Sequence, residues 1–293
     1  MNPGADYRGH LVERAAEMLR RQAAEQPIPP APASPMPPSP GKASPLTALL
    51  TPPPATLIPA EALRAVGLLA PSAGGRPGRA QEEIALVQHQ LLRQADEAAV
   101  RRIILVASAL PREGRSFIAL NLAGGIATGG ARPVLLVDAD GRDGGLTEAL
   151  GLEARPGLRD LVAEPQQRGA ELVLPTALDR LSLLPSGRPR RTEAAPGGTL
   201  ADAVLRLAAS LPHHVLVLDT PPCLSSSDAS ALAAAAGQVV LVVDAQRTAR
   251  GEVEAALDLL EACPVLQLLL NRTRLSGSGS FGGSAGEAGA DAS

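Results

Sequence analysis

The sequence predicts an α/β fold, a mostly parallel sheet covered by helices on both faces, with disordered N-terminal and C-terminal flanks. Two observations predict it. From residue 81 onward, apolar runs of strand length alternate with stretches of helical periodicity. The runs themselves (VLLVD, VLVLD, VVLVVD, VLQLLL) are nearly unbroken in apolar residues, as strands buried on both faces are.

The elements follow in order. Residues 1–25 hold a short amphipathic helix over 9–24, with Leu11, Ala15, Met18 and Leu19 on one face. Residues 26–80 read as a proline-rich disordered linker, broken by a helical turn over 61–69. The folded domain is expected over 81–275. It opens on a helix to about Ala99, with Ile84, Val87, Leu91 and Leu92 at helical spacing. Strands are expected at 103–107, 133–138, 181–184, 215–219, 238–244 and 265–270. Helices are expected at 115–129, 146–151, 157–163, 199–210, 228–236 and 250–262. Residues 276–293 form a flexible Gly/Ser tail.

Composition bounds the function. A net charge of −3 argues against a chain built to grip nucleic acid. No apolar run approaches the roughly 18 residues of a membrane span. The N-terminus lacks the apolar core of a secretion signal. Cys223 and Cys263 have no metal-ligand spacing around them and fit reduced thiols of a cytosolic protein. Of the 27 basic residues only Lys42 is a lysine, so an arginine at a position that usually holds lysine follows a trend of the whole chain.

Three motifs fall at the ends of expected strands, where ligands sit in such folds. Ser108-Ala-Leu-Pro-Arg-Glu-Gly-Arg-Ser116 joins a strand to a helix as a phosphate loop does. Backbone N–H groups there, with the positive helix end, make an anion cradle. The loop departs from G-x-x-x-x-G-K-[S/T]: Ala109 stands at the first glycine and Arg115 at the lysine, while Gly114 and Ser116 are kept. The second motif is VLLVDAD, ending in Asp138 and Asp140; the third is VLVLDTPP, with Asp219. Carboxylates at strand ends beside a hydroxyl suit Mg²⁺, which takes few protein oxygens. Three such motifs in this order point to a P-loop NTPase fold.

At this point the chain resembles one family. SALPREGRSFIALNLAGGIA, VLLVDADGRDGGLTEALGL and VLVLDTPP are similar to the three signatures of the bacterial tyrosine kinases of capsule and exopolysaccharide production, over roughly residues 81–275. LVERAAEMLRR resembles the opening of one subgroup, the exosortase-associated tyrosine autokinases. The resemblance implies an ATP and Mg²⁺ site. Pro111, Arg112, Glu113, Gly114, Arg115, Ser116, Phe117 and Asn271 would hold nucleotide, with Asn271 near the base. Ser116, Asp138 and Asp219 would hold the metal, and Arg115, Asp138 and Asp140 would act in catalysis. It further implies a cytoplasmic protein held at the inner membrane by a polysaccharide chain-length regulator or co-polymerase, with homo-oligomers formed through a helix that here carries Glu82 and Glu83.

The departures leave two readings open. Arg115 is wider than lysine, with fixed donor directions, and Arg112 replaces a glycine of the loop. The tyrosine cluster that usually ends the family is missing: Phe281 stands where a tyrosine would be, and Tyr7 is the one tyrosine of the chain. Asp143 and Gly144 replace an Arg-Pro pair, removing a positive charge near the site. The chain is therefore either an ATP-binding kinase-like enzyme of exopolysaccharide synthesis or a catalytically inactive regulatory P-loop module. A partition-type ATPase is disfavoured by Leu110 and Pro111, where those proteins carry a lysine-containing loop.

Overall fold

Each central strand sends alternate side chains to opposite faces, and both faces are covered, which is why the strands are apolar throughout. In this computed structural model residues 57–69, 78–94, 99–130, 132–142, 144–187 and 198–273 are described. The seven strands are β1 (Ile103–Ser108), β2 (Val134–Asp138), β3 (Leu174–Pro175), β4 (Leu181–Leu184), β5 (Val215–Asp219), β6 (Gln238–Asp244) and β7 (Leu266–Asn271). They form one sheet in the order β3-β4-β2-β5-β1-β6-β7, with only the β3–β4 pair antiparallel. Ile103, Leu105 and Ala107 of β1 face one core; Ile104 and Val106 face the other.

The first core is closed by α5 (Leu158–Ala163), α6 (Leu200–Ser210), α7 (Asp228–Ala233) and α8 (Arg250–Leu260). The second is closed by α1 (Ala60–Ala65), α2 (Arg79–Gln94), α3 (Arg115–Gly129) and the short α4 (Leu146–Ala149). Helix α3 is buried nearly all round, from Ile118 to Ala127, and its sequence accordingly lacks a polar stripe. Helix α6 is capped by Thr199, whose hydroxyl accepts from the Asp202 N–H at 3.1 Å while Asp202 returns a bond to the Thr199 N–H.

Two expectations need correction. The folded region does not begin near residue 81: residues 57–69 already belong to it. Ile58 forms a bridge with Thr176 beside β3, and Leu63 is wholly buried. Asn121 of α3 clasps the same segment, accepting from the Leu69 N–H at 2.7 Å and donating to the Gly67 carbonyl at 2.9 Å. Proline content alone hid this, because the segment's order comes from contacts with α3 and β3 rather than from local periodicity. Nor is the last strand buried on both faces. In β7, Leu268 and Leu270 are 54% and 61% exposed, since β7 is a sheet edge. The N-terminal helix expected over 9–24, most of the proline-rich run and the Gly/Ser tail lie outside the described residues.

Candidate functional site

Strand register brings the motifs together. Asp138 at the end of β2 lies directly beside Asp219 at the end of β5, and Val106 of β1 lies on the other side of Asp219. The chain leaves β1 two residues later and turns through 109–114 into α3, so the loop rises over both carboxylates. A cavity of about 730 Å³ opens there, lined by Pro111, Arg112, Gly114, Ser116, Phe117 and Arg142 among others.

Loop shape is set by buried bonds. Glu113 is 2% exposed and works as a brace: its carboxylate accepts from the Leu110 N–H at 2.8 Å, the Asp244 N–H at 3.3 Å and the Thr248 hydroxyl. Asn271 donates through Nδ2 to the Glu113 carbonyl at 2.8 Å, and its Oδ1 accepts from the Arg272 N–H at 2.9 Å. Both ends of that amide are thus engaged within the protein, holding the loop against β6 and β7. Arg112 sits at φ 68°, the left-handed region where glycine is at ease, which explains the glycine usual at this point of such loops. Gly114 has φ 92° and caps α3; a Cβ there would come 2.3 Å from Asn271 Nδ2. Gly114→Ala is expected to cost about 1–3 kcal/mol of stability, because it strains the backbone and breaks the Asn271–Glu113 bond. Denaturant unfolding checks this, and an unchanged midpoint would contradict the loop geometry.

Arg115, the first residue of α3, does not extend into the cavity as a free cation. It is 7% exposed and turned down onto the strand ends. Its Nε donates to Asp219 Oδ1 at 2.8 Å, its Nη2 to Asp140 Oδ2 at 2.5 Å and its Nη1 to Ser108 Oγ at 3.3 Å. Asp140 is also gripped by Arg142, through Nε at 2.5 Å and Nη2 at 3.1 Å. Arg142 thus keeps a positive charge beside Asp140; Asp143, where the change of charge was expected, lies outside the described residues. Both oxygens of Asp138 are engaged: Oδ1 accepts from the Asp140 N–H at 3.0 Å, and Oδ2 from the Thr147 N–H at 2.7 Å and hydroxyl at 2.6 Å.

Asp219 is fully buried, and its Oδ2 accepts no hydrogen bond. Burial pushes its carboxyl up to about 6; the Arg115 guanidinium pulls against this, neighbouring Asp138 adds to it, and the Ser116 hydroxyl eases it. Cys223, beside the site, is buried and its thiol is pushed up to about 11, chiefly by desolvation, so it stays protonated and unreactive at neutral pH.

Whether a divalent ion fits can be judged from these bonds. Of the carboxylate oxygens of Asp138, Asp140 and Asp219, only Asp219 Oδ2 is without a donor. Among the described residues, no group of three or more His, Cys, Asp or Glu side chains is arranged to hold a metal ion. With Arg115 in this position the residues do not fit Mg²⁺.

Sequence reasoning found the three aspartates and the loop, and the structure brings them together. It missed Arg142, Thr147, Thr248 and Ser108, which hold them. Thr147 had a signal, a hydroxyl residue in the first turn of a helix closely following a strand-end aspartate. Thr248 had none, because it reaches Glu113 across 135 residues.

A parallel sheet whose first strand leads through a phosphate-type loop into a buried helix, with aspartates ending the two neighbouring strands, defines a P-loop NTPase domain. In sequence the chain is similar to bacterial tyrosine-protein kinases. It is 33% identical to EpsB of Ralstonia nicotianae over 161 residues, 54% of this chain and 21% of that protein. It is 31% identical to the succinoglycan biosynthesis transport protein ExoP of Rhizobium meliloti over 190 residues, 61% of this chain and 23% of that protein. The match thus spans under a quarter of the length of either relative. The kinase domain of Escherichia coli tyrosine kinase ETK has the same fold, with a TM-score of 0.58 and 20% identity, covering 72% of this chain and 82% of that one. No protein-family model matches the chain. Among the described residues, no helix is long and apolar enough to cross a membrane.

Proposed function

We propose that this chain is an ATP-binding module of exopolysaccharide production, related to the tyrosine kinases but slow in phosphoryl transfer. The observation that carries this is the cavity over the 111–117 loop with Arg115 clamped beneath it by Asp140 and Asp219. The cavity is walled by backbone N–H groups at a helix N-terminus and by the arginines at 112 and 142, which suits nucleotide phosphates. Lysine in such a loop is a mobile point charge; a guanidinium held by two buried carboxylates is not free to follow a moving phosphoryl group. The succinoglycan role of ExoP supports the polysaccharide context. In that context the chain would act in the cytoplasm, docked on an inner-membrane chain-length regulator or co-polymerase.

A catalytically inactive regulatory role is the second reading. It is favoured by the chain's single tyrosine, Tyr7, far from the tail where the family places its substrate tyrosines. Calorimetric titration with ATP, ADP and a non-hydrolysable analogue, with turnover followed in parallel, separates the two. The enzyme reading expects binding, slow turnover and at least a tenfold gain in turnover for Arg115→Lys. Binding with no turnover in either protein would establish the regulatory reading instead. Absence of binding would overturn both.

A further inference from the structure

We propose that the Arg115 guanidinium occupies the place of the divalent ion in this chain, so that nucleotide binds here without Mg²⁺. The inference rests on the reading of the cavity as a nucleotide site and concerns what neutralises the charge there. A divalent ion in a phosphate site joins phosphate oxygens to a hydroxyl and a strand-end carboxylate, cancelling repulsion between the two sets of negative charge. In this chain a cation already lies between the loop and those carboxylates. Arg115 reaches Asp219 at 2.8 Å and Asp140 at 2.5 Å with its side chain 8% exposed, and Arg142 takes both oxygens of Asp140.

The same network engages the other carboxylates that a metal would use. Asp138 gives both oxygens to the backbone and to Thr147. Asp219 Oδ2 is the single carboxylate oxygen of the cluster without a donor, and it is sealed from solvent. An incoming ion would have to expel a buried guanidinium from its two partners to gain a ligand set, which leaves the expelled charge to be accommodated elsewhere. Guanidinium also has more donors than the three that Arg115 uses here, so the same group can bond phosphate oxygens while keeping its carboxylates. The arginines at 112, 115 and 142 together supply the positive charge that nucleotide phosphates need, whether or not a metal accompanies them.

The test is titration of the full chain with ATP in EDTA and again with excess Mg²⁺. The expected result is a Kd that agrees within fivefold between the two conditions. A Kd more than fivefold weaker in EDTA would overturn the inference while leaving the nucleotide site intact. No binding in either condition would overturn the nucleotide reading itself, and the inference with it. Arg115→Lys supplies the second arm. A single ammonium cannot hold Asp140 and Asp219 as a planar fork does, so this variant is expected to bind ATP at least tenfold more tightly with Mg²⁺ than in EDTA. If the variant is as indifferent to Mg²⁺ as the parent, Arg115 is not the cause and the inference fails.

Discussion

Replacing Arg115 with alanine is expected to cost about 3–5 kcal/mol of folding stability, and to cost more at pH 8 than at pH 5. The magnitude follows from what the substitution leaves behind. Asp219 and Asp140 are buried, and each would lose a charged donor. The pH dependence follows from Asp219, whose carboxyl stands at about 6 in the fold, raised by burial from its ordinary value of 3.8. A carboxyl raised on folding favours the folded state most fully below its unfolded value. That contribution is lost as pH climbs to the folded value and is flat above it. Arg115 acts to lower the Asp219 carboxyl, so removing it raises that carboxyl further and extends the loss to higher pH. At pH 5 Asp219 is largely protonated with or without Arg115, and the deficit is smaller. Chemical denaturation of both proteins at the two pH values measures this. An equal deficit, or a larger one at pH 5, would contradict the described coupling.

Gly157→Ala is expected to destabilise the fold by about 3 kcal/mol, the upper end of ordinary overpacking costs. Its φ of −161° is open to any residue, so the effect is one of space alone. A Cβ at this position would lie 2.0 Å from the Pro185 carbonyl oxygen and 2.5 Å from the Gly187 nitrogen. Both are backbone atoms, which cannot swing aside. The two segments are tied by the Leu158 N–H to the Pro185 carbonyl and the Arg159 N–H to the Ser186 carbonyl, each at 2.9 Å. The disturbance also reaches the site. The Ser186 N–H donates to the Thr147 hydroxyl at 2.9 Å, and that hydroxyl donates to Asp138 at 2.6 Å. Thermal unfolding should fall well below that of the parent protein, and nucleotide affinity, if the site is as proposed, should fall with it. A variant with parental melting behaviour would show that the close approach of 157 to 185–187 is not maintained in solution.

How far the sequence could be read depended on the range of the forces involved. Strands and helices of the domain were legible because burial on two faces writes itself into each strand separately: every residue of VLLVD and VLVLD is apolar until the final aspartate. Helix α3 was legible to the residue, since the glycine at its start and the small apolar run that follows are local signals. The segment 57–69 was read too weakly, as a turn within a linker, because part of what orders it is Asn121, 52 residues beyond Leu69 in sequence. In β7 the composition misled. An edge position is a property of the sheet's order, and nothing within LQLLLN records that one of its faces lacks a covering helix.

The same division holds at the site. By itself the sequence determined which groups are present: a loop with Gly114 and Ser116, three aspartates at strand ends, and an arginine where lysine is usual. Residue identity and strand periodicity are enough for that. Only the tertiary structure decided where the arginine points. The register of β2 against β5 places Asp138 and Asp219 side by side, and the loop sets Arg115 directly above them. A guanidinium within reach of the buried carboxylates of Asp140 and Asp219 is drawn to them, because unpaired charge in a low-dielectric interior is costly. Thus one substitution, which reads in sequence as a lysine exchanged for a similar cation, becomes in the fold a charge committed to the protein itself.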